Sequence, residues 1–100
     1  MNSFKDFWPF YLGEHSNPLN RRIHFVGTFL VHVIVAFALV KQNWGLLWLL
    51  PVVGYGFAWV GHFFVQKNRP ATFKYPLWSL IGDFKMFYLM CMGRLWKEDR

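Results

Sequence analysis

One cysteine, Cys91, is all the thiol this 100-residue chain contains. An internal disulfide is therefore impossible, no CxxC spacing exists for zinc or redox work, and Cys91 reads as a small core hydrophobe. Acidic groups are scarce as well, five Asp and Glu against eleven Lys and Arg, for a net charge of +6. An excess of cations can point to nucleic acid, but here the cations gather where apolar stretches end. Arg21 and Arg22 precede the first stretch, Lys67, Arg69 and Lys74 follow the second, and the turn Lys41-Gln42-Asn43 between them holds one. That pattern is explained by membrane topology and attraction to anionic headgroups, so nucleic acid is set aside. Repeats and low-complexity tracts are missing, and nothing resembles a cleavable leader: the first residues are aromatic, and no small-x-small site follows.

What is present is apolar: 55% of the residues are hydrophobic and 22% aromatic. No Asp, Glu, Lys or Arg occurs from Ile23 to Val40 or from Gln42 to Gln66. Each run approaches the length of about 20 helical residues that crosses a hydrocarbon core roughly 30 Å thick. The expected fold is an all-α integral membrane domain spanning residues 1–100, built on a hairpin of two transmembrane helices at 23–40 and 44–65. Before it come an aromatic interfacial segment at 2–11 and a polar loop at 13–22, marked by Gly, Ser, Asn and Pro. After it comes a third apolar helix at 76–96, interrupted by Asp83 and Lys85, which either spans or lies along the interface. The positive-inside rule puts the N-terminus and the segment after residue 66 in the cytoplasm, at a bacterial inner membrane or the endoplasmic reticulum, with the hairpin turn outside.

Polar side chains inside such runs are costly and mark function. His24 lies 18 residues before Gln42 and His62 lies 20 after it, so an antiparallel hairpin sets them at nearly one level, close to the cytoplasmic face. Gly54, Ala58 and His62 share one face at i, i+4 and i+8, and small residues there let the helices approach, turning His62 toward His24. His15, in the loop just upstream, can fold over the same level. These three are the candidate metal ligands. His32 is a weaker fourth, because it sits about 12 Å below His24 at 1.5 Å rise per residue, while imidazole nitrogens must come within about 2.0–2.2 Å of an ion. Asn68 is expected to cap or support His62. Asp83 is expected to pair with Lys85 or an arginine, or else to meet His32 at its depth and support a metal from there. The plainer alternative for each histidine is a structural hydrogen bond.

The stretches Tyr11 to Thr28 (YLGEHSNPLNRRIHFVGT), Gly54 to Ala71 (GYGFAWVGHFFVQKNRPA) and Pro76 to Asp83 (PLWSLIGD) resemble the family of small membrane proteins that includes the fungal 2-hydroxy fatty acid dioxygenase. The similarity runs from about Asp6 to Arg94. It implies an enzyme that uses ferrous iron and dioxygen to shorten a long-chain 2-hydroxy fatty acid by one carbon, the α-oxidation step of phytosphingosine breakdown. His15, His24 and His62 match the family's histidines, and His32 matches less securely. Imidazole and carboxylate donors suit non-haem Fe(II). Lys67 and Arg69, with Arg21 or Arg22, are placed to hold the substrate carboxylate by charge-assisted bonds, while the acyl tail lies between helices or in lipid. Two other classes fit the residues: a haem-binding electron carrier with His24 and His62 as opposed axial ligands, and a non-enzymatic membrane interaction protein whose histidines and asparagines bond helices together.

Overall fold

A computed structural model describes residues 2–70 and 73–96, and among these every regular element is helical. Helix α1, Phe4–Glu14, starts where the Ser3 hydroxyl accepts the Asp6 amide, a side-chain cap for an orphan N–H. The chain then breaks for only three residues, His15 to Asn17. Asn17 caps helix α2, Pro18–Lys41, by accepting the Leu19 amide at 2.8 Å. Pro18 stands in its first turn, where a missing N–H costs nothing. The polar loop expected over 13–22 is thus mostly helix, because a strong cap at Asn17 and a proline at N1 start α2 five residues earlier than apolarity alone suggests.

Gln42 closes α2 in the left-handed region at φ 52°, and the chain reverses into helix α3, Trp44–Gln66. This rod opens as a tight 3-10 segment (Trp44–Trp48), runs as α-helix (Leu49–Val60) with Pro51 in its first turn, and ends as a π-helical turn (Gly61–Gln66). α2 and α3 are both long and apolar enough to cross a membrane by length and composition. They are antiparallel and pack closely. A Cβ on Gly61 would collide with the Asn20 side chain, which would have to swing away to admit it. Their other faces leave Phe29, Phe37, Leu39, Val40, Val52 and Phe64 exposed, an apolar exterior that water does not favour.

Helix α4, Pro76–Cys91, has 16 residues, about 24 Å at 1.5 Å per residue, which is short of a hydrocarbon core of roughly 30 Å. The apolar stretch expected to run helically to 96 stops at Cys91. Gly93 (φ 84°) and Leu95 (φ 66°) then turn the chain back, and the Trp96 indole donates to the Met90 carbonyl at 2.8 Å. The compact core lies between α1 and α4, not inside the hairpin: Phe7 and Tyr11 are wholly buried against Met86, Met90 and Leu95. The aromatic N-terminal segment therefore does more than sit among headgroups; one face of α1 is the lid of α4. A lysine borders the same aromatic surface, the Lys85 ammonium lying 4.3 Å from the centre of the Trp8 ring.

Candidate metal centre

Each histidine of the centre comes from a different local device. His15 ends α1, where its backbone N–H bonds the Leu12 carbonyl. It is held in place from below, because Gln66 at the end of α3 grips the break: its Oε1 accepts the Asn17 amide at 2.9 Å and the Asn20 amide group at 3.3 Å, and its Nε2 donates to the Ser16 hydroxyl at 2.8 Å. The Arg21 guanidinium donates to the His15 carbonyl at 2.6 Å and to the Leu95 carbonyl at 3.3 Å. His24 is buried two turns into α2. His62 sits in the π turn, a departure from α geometry that often accompanies functional sites. There the His62 carbonyl accepts the amides of both Lys67 and Asn68, and Lys67 at φ 61° swings the chain so that Asn68 returns to the His62 ring.

The three imidazoles converge. Ring centroids are 4.5 Å apart for His15 and His24, 4.3 Å for His15 and His62, and 5.0 Å for His24 and His62. Ligand atoms from the three lie within 4.8 Å of one another, all three residues being buried. Three donors each about 2.1 Å from one ion lie roughly 3.0 to 3.6 Å apart, so the widest pair would have to close by about 1 Å or somewhat more.

The partners of the other ring nitrogens decide how the cluster can act. His15 Nδ1 is 2.8 Å from the Tyr11 carbonyl, which only accepts, so Nδ1 carries the hydrogen. His62 Nδ1 is 2.7 Å from Asn68 Oδ1, while Asn68 Nδ2 donates to the Glu14 carbonyl at 3.0 Å. The amide orientation is thereby fixed, and His62 Nδ1 is again the donor. Both Nε2 atoms then present lone pairs, and they face each other at 2.8 Å. Lone pairs at that separation repel unless a cation lies between or beside them. A proton is disfavoured there: burial holds the His15 imidazole well below its ordinary range, and the neighbouring His24 and His62 lower it further. His24 completes the set, with its Nε2 buried and without a hydrogen-bond partner and its Nδ1 3.8 Å from an Asp83 carboxylate oxygen. Imidazoles that turn Nε2 inward while a carbonyl oxygen holds Nδ1, as those of His15 and His62 do, show the arrangement in which proteins orient metal-ligating histidines. The donor set fits a divalent transition metal.

Asp83 stands beside His24, not His32, and is paired with neither Lys85 nor an arginine among the described residues. It accepts the Tyr11 hydroxyl, and burial lifts its carboxyl to about 7 against the opposing effect of that bond. Two turns of α4 precede the histidine level, so the helix sits higher than an entry at Tyr75 suggests, and its later residues Phe84, Phe87 and Tyr88 meet His32 instead. His32 is kept apart from the cluster, its Nδ1 bonded to the Thr28 carbonyl and its Nε2 to the Tyr88 hydroxyl at 2.7 Å. Arg21, expected as a carboxylate binder, is buried and donates to two main-chain carbonyls. The Arg69 guanidinium lies over the Phe73 ring at 4.9 Å. It lines a separate hollow with Phe10, Glu14 and Lys74, although its neighbour Pro70 borders the histidine cavity. Lys67 serves the turn after α3. Thr72, a conceivable cap for His62, lies outside the described residues.

Sequence reasoning missed Tyr11, which stacks on His15 at 4.0 Å between centroids and bonds Asp83. It also missed Ser79, whose buried hydroxyl has no partner and borders the same cavity. Ser79 and Asp83 are four residues apart and so share one face of α4, a spacing that could have flagged the serine.

Residues 1–95 match the profile of one protein family, described as 2-hydroxy-palmitic acid dioxygenase Mpo1-like. No curated protein matches, and no solved structure does.

Proposed function

The chain belongs to the 2-hydroxy-palmitic acid dioxygenase Mpo1-like family, and from that premise we propose that it is an integral membrane enzyme that shortens long-chain 2-hydroxy fatty acids by one carbon, with ferrous iron held by His15, His24 and His62. The observation that carries the proposal is the pair of Nε2 atoms facing each other at 2.8 Å, joined by the unpartnered Nε2 of His24. Three neutral imidazoles leave coordination positions open. Iron bound there would supply the redox chemistry with dioxygen and a Lewis acid for the carboxylate and hydroxyl of the substrate.

The rest falls to the chain's own residues. Tyr11 bonds the Asp83 carboxylate that stands 3.8 Å from His24 Nδ1, and Asn68 and the Tyr11 carbonyl fix His62 and His15. The Ser79 hydroxyl, buried and unpartnered, donates to an oxygen of the bound acid. Arg69 and Lys67 act earlier, drawing the carboxylate to the membrane surface, since neither borders the histidine cavity. The balance closes on one dioxygen: the C1–C2 bond breaks, C2 is oxidised to the new carboxyl, C1 leaves as carbon dioxide, and the second oxygen atom ends in water. No 2-oxoglutarate is consumed.

The test is anaerobic loading with ferrous iron, then oxygen and 2-hydroxypalmitate, with products read by mass spectrometry. Pentadecanoate and carbon dioxide should form in equal amounts. Palmitate, which lacks the hydroxyl, should not turn over, and Ser79→Ala should raise KM without changing iron content. Iron-replete, folded protein that consumes no oxygen with any 2-hydroxy acid overturns the proposal.

The cation distribution gives the orientation within it: residues 20 and 70 cytoplasmic, residue 42 outside. Introduced cysteines at the exposed neighbouring positions 22 and 69 should resist an impermeant thiol reagent in intact cells while one at 42 reacts, scored in a Cys91→Ala background. Reaction at 69 from outside reverses the topology.

A further inference from the structure

Below the histidines a second cavity, of about 300 Å³, runs down the seam between α2, α3 and α4. It meets the histidine cavity along His24, Tyr55, Ala58 and Asp83, which line both. From that neck it descends past Thr28 and Gly54 to Val31, Leu50 and Pro51. The distance is about 12 Å, eight residues of α3 at 1.5 Å each. Its walls are mainly apolar and it holds no Lys or Arg, so it takes no anionic head group below the neck. One side is open between Tyr55 and Leu80, both of which are exposed.

We infer that this groove holds the first part of the substrate's acyl chain, entering sideways from the bilayer, and that Gly54 and Val31 keep its lower part open to that chain. The inference rests on the proposed function for the identity of the head group. Geometry carries the rest: a polar head at the histidines leaves an attached alkyl chain one continuous apolar path, and that path begins at Ala58. Gly54 lies one turn farther, about 6 Å along the helix, where a Cβ would meet Val31 Cγ2 at 3.7 Å. That is ordinary contact, so Gly54→Ala should be accepted, whereas Gly54→Leu fills the groove. A volume near 300 Å³ is at the small end for ligand pockets, so the tail of a long chain extends out of the open side into lipid.

The test uses the full chain in phosphatidylcholine nanodiscs, loaded with ferrous iron under anaerobic conditions, and a 2-hydroxypalmitate carrying a mid-chain diazirine. Adducts are expected on Val31, Tyr55 or Phe84. They should fall at least tenfold in Gly54→Leu with iron content unchanged, and Val31→Phe, which fills the groove from the opposite wall, should act alike. In turnover, Gly54→Leu should lower kcat/KM for 2-hydroxypalmitate relative to 2-hydroxyoctanoate at least tenfold. Adducts confined to outward residues such as Phe29 and Phe37, or labelling unaffected by both variants, overturn the inference. So does a diazirine phosphatidylcholine that labels the groove and is not displaced by 2-hydroxypalmitate, because the occupant is then a membrane lipid. Mapping needs no turnover: a chain that takes the acid in the groove but consumes no oxygen keeps this inference and loses the dioxygenase, and turnover with an indifferent Gly54→Leu does the reverse.

Discussion

His62→Ala should leave the purified protein with less than a tenth of the parent's iron and no measurable oxygen uptake, while its helical circular dichroism stays unchanged. His24→Ala should do the same. Each removes one of three ligand nitrogens that lie within 4.8 Å of one another, and two remaining imidazoles no longer make a site that competes with water and buffer for Fe(II). The double variant should be no worse than either single one, since groups that act as a unit are not additive. His32→Ala supplies the contrast. Its ring is spent on the Thr28 carbonyl and the Tyr88 hydroxyl, so iron content should stay at the parent's level even if the α2–α4 contact loosens. Full iron in His24→Ala and His62→Ala, measured by elemental analysis, would sink the three-histidine centre. A Soret band in the parent protein would transfer those residues to haem.

The histidine cluster was more legible in the sequence than the packing around it. Depth counting from Gln42 is one-dimensional arithmetic on helical rise, and it placed His24 and His62 at one level without knowledge of any side chain; the structure brings their rings to 5.0 Å. The hairpin was legible for the same reason, since two uncharged runs joined by a short polar turn leave a membrane chain little other choice. The position of α4 was not. It depends on how far the connection after Gln66 climbs before Pro76, and no periodicity in Lys67 to Tyr75 encodes that. An error of one or two turns there moved Asp83 from His32 to His24. Arg21 was misplaced by a different rule: beside Arg22 at a helix start it looks like a surface cation, yet it is buried and its partners include the carbonyls of His15 and Leu95, the second of them 74 residues away. Tyr11 escaped because in an aromatic-rich segment a ring that only packs and a ring that also stacks on a histidine and bonds a carboxyl look alike until the chain closes on them.

Asn68→Leu should lower iron affinity about 10- to 100-fold, the usual effect of losing a group that orients a metal-bound histidine, without removing any ligand. Asn68 Oδ1 is what makes His62 Nδ1 the hydrogen-bearing nitrogen and leaves Nε2 to face His15. Leucine has about the same bulk but cannot accept, so the imidazole is free to rotate or to take the other tautomer, which would point an N–H at the site. The same change strands the Glu14 carbonyl that Asn68 Nδ2 bonds, loosening the end of α1 from which His15 projects. Asn68→Asp separates the two effects: a carboxylate still accepts from His62 but cannot donate to Glu14. If orientation of His62 is what matters, Asp should recover most of the affinity that Leu loses, measured by competition against a fluorescent chelator. If the tie between Asn68 and α1 is what matters, Asp should bind iron no better than Leu, and the part assigned here to the His62–Asn68 bond would pass to the placement of His15.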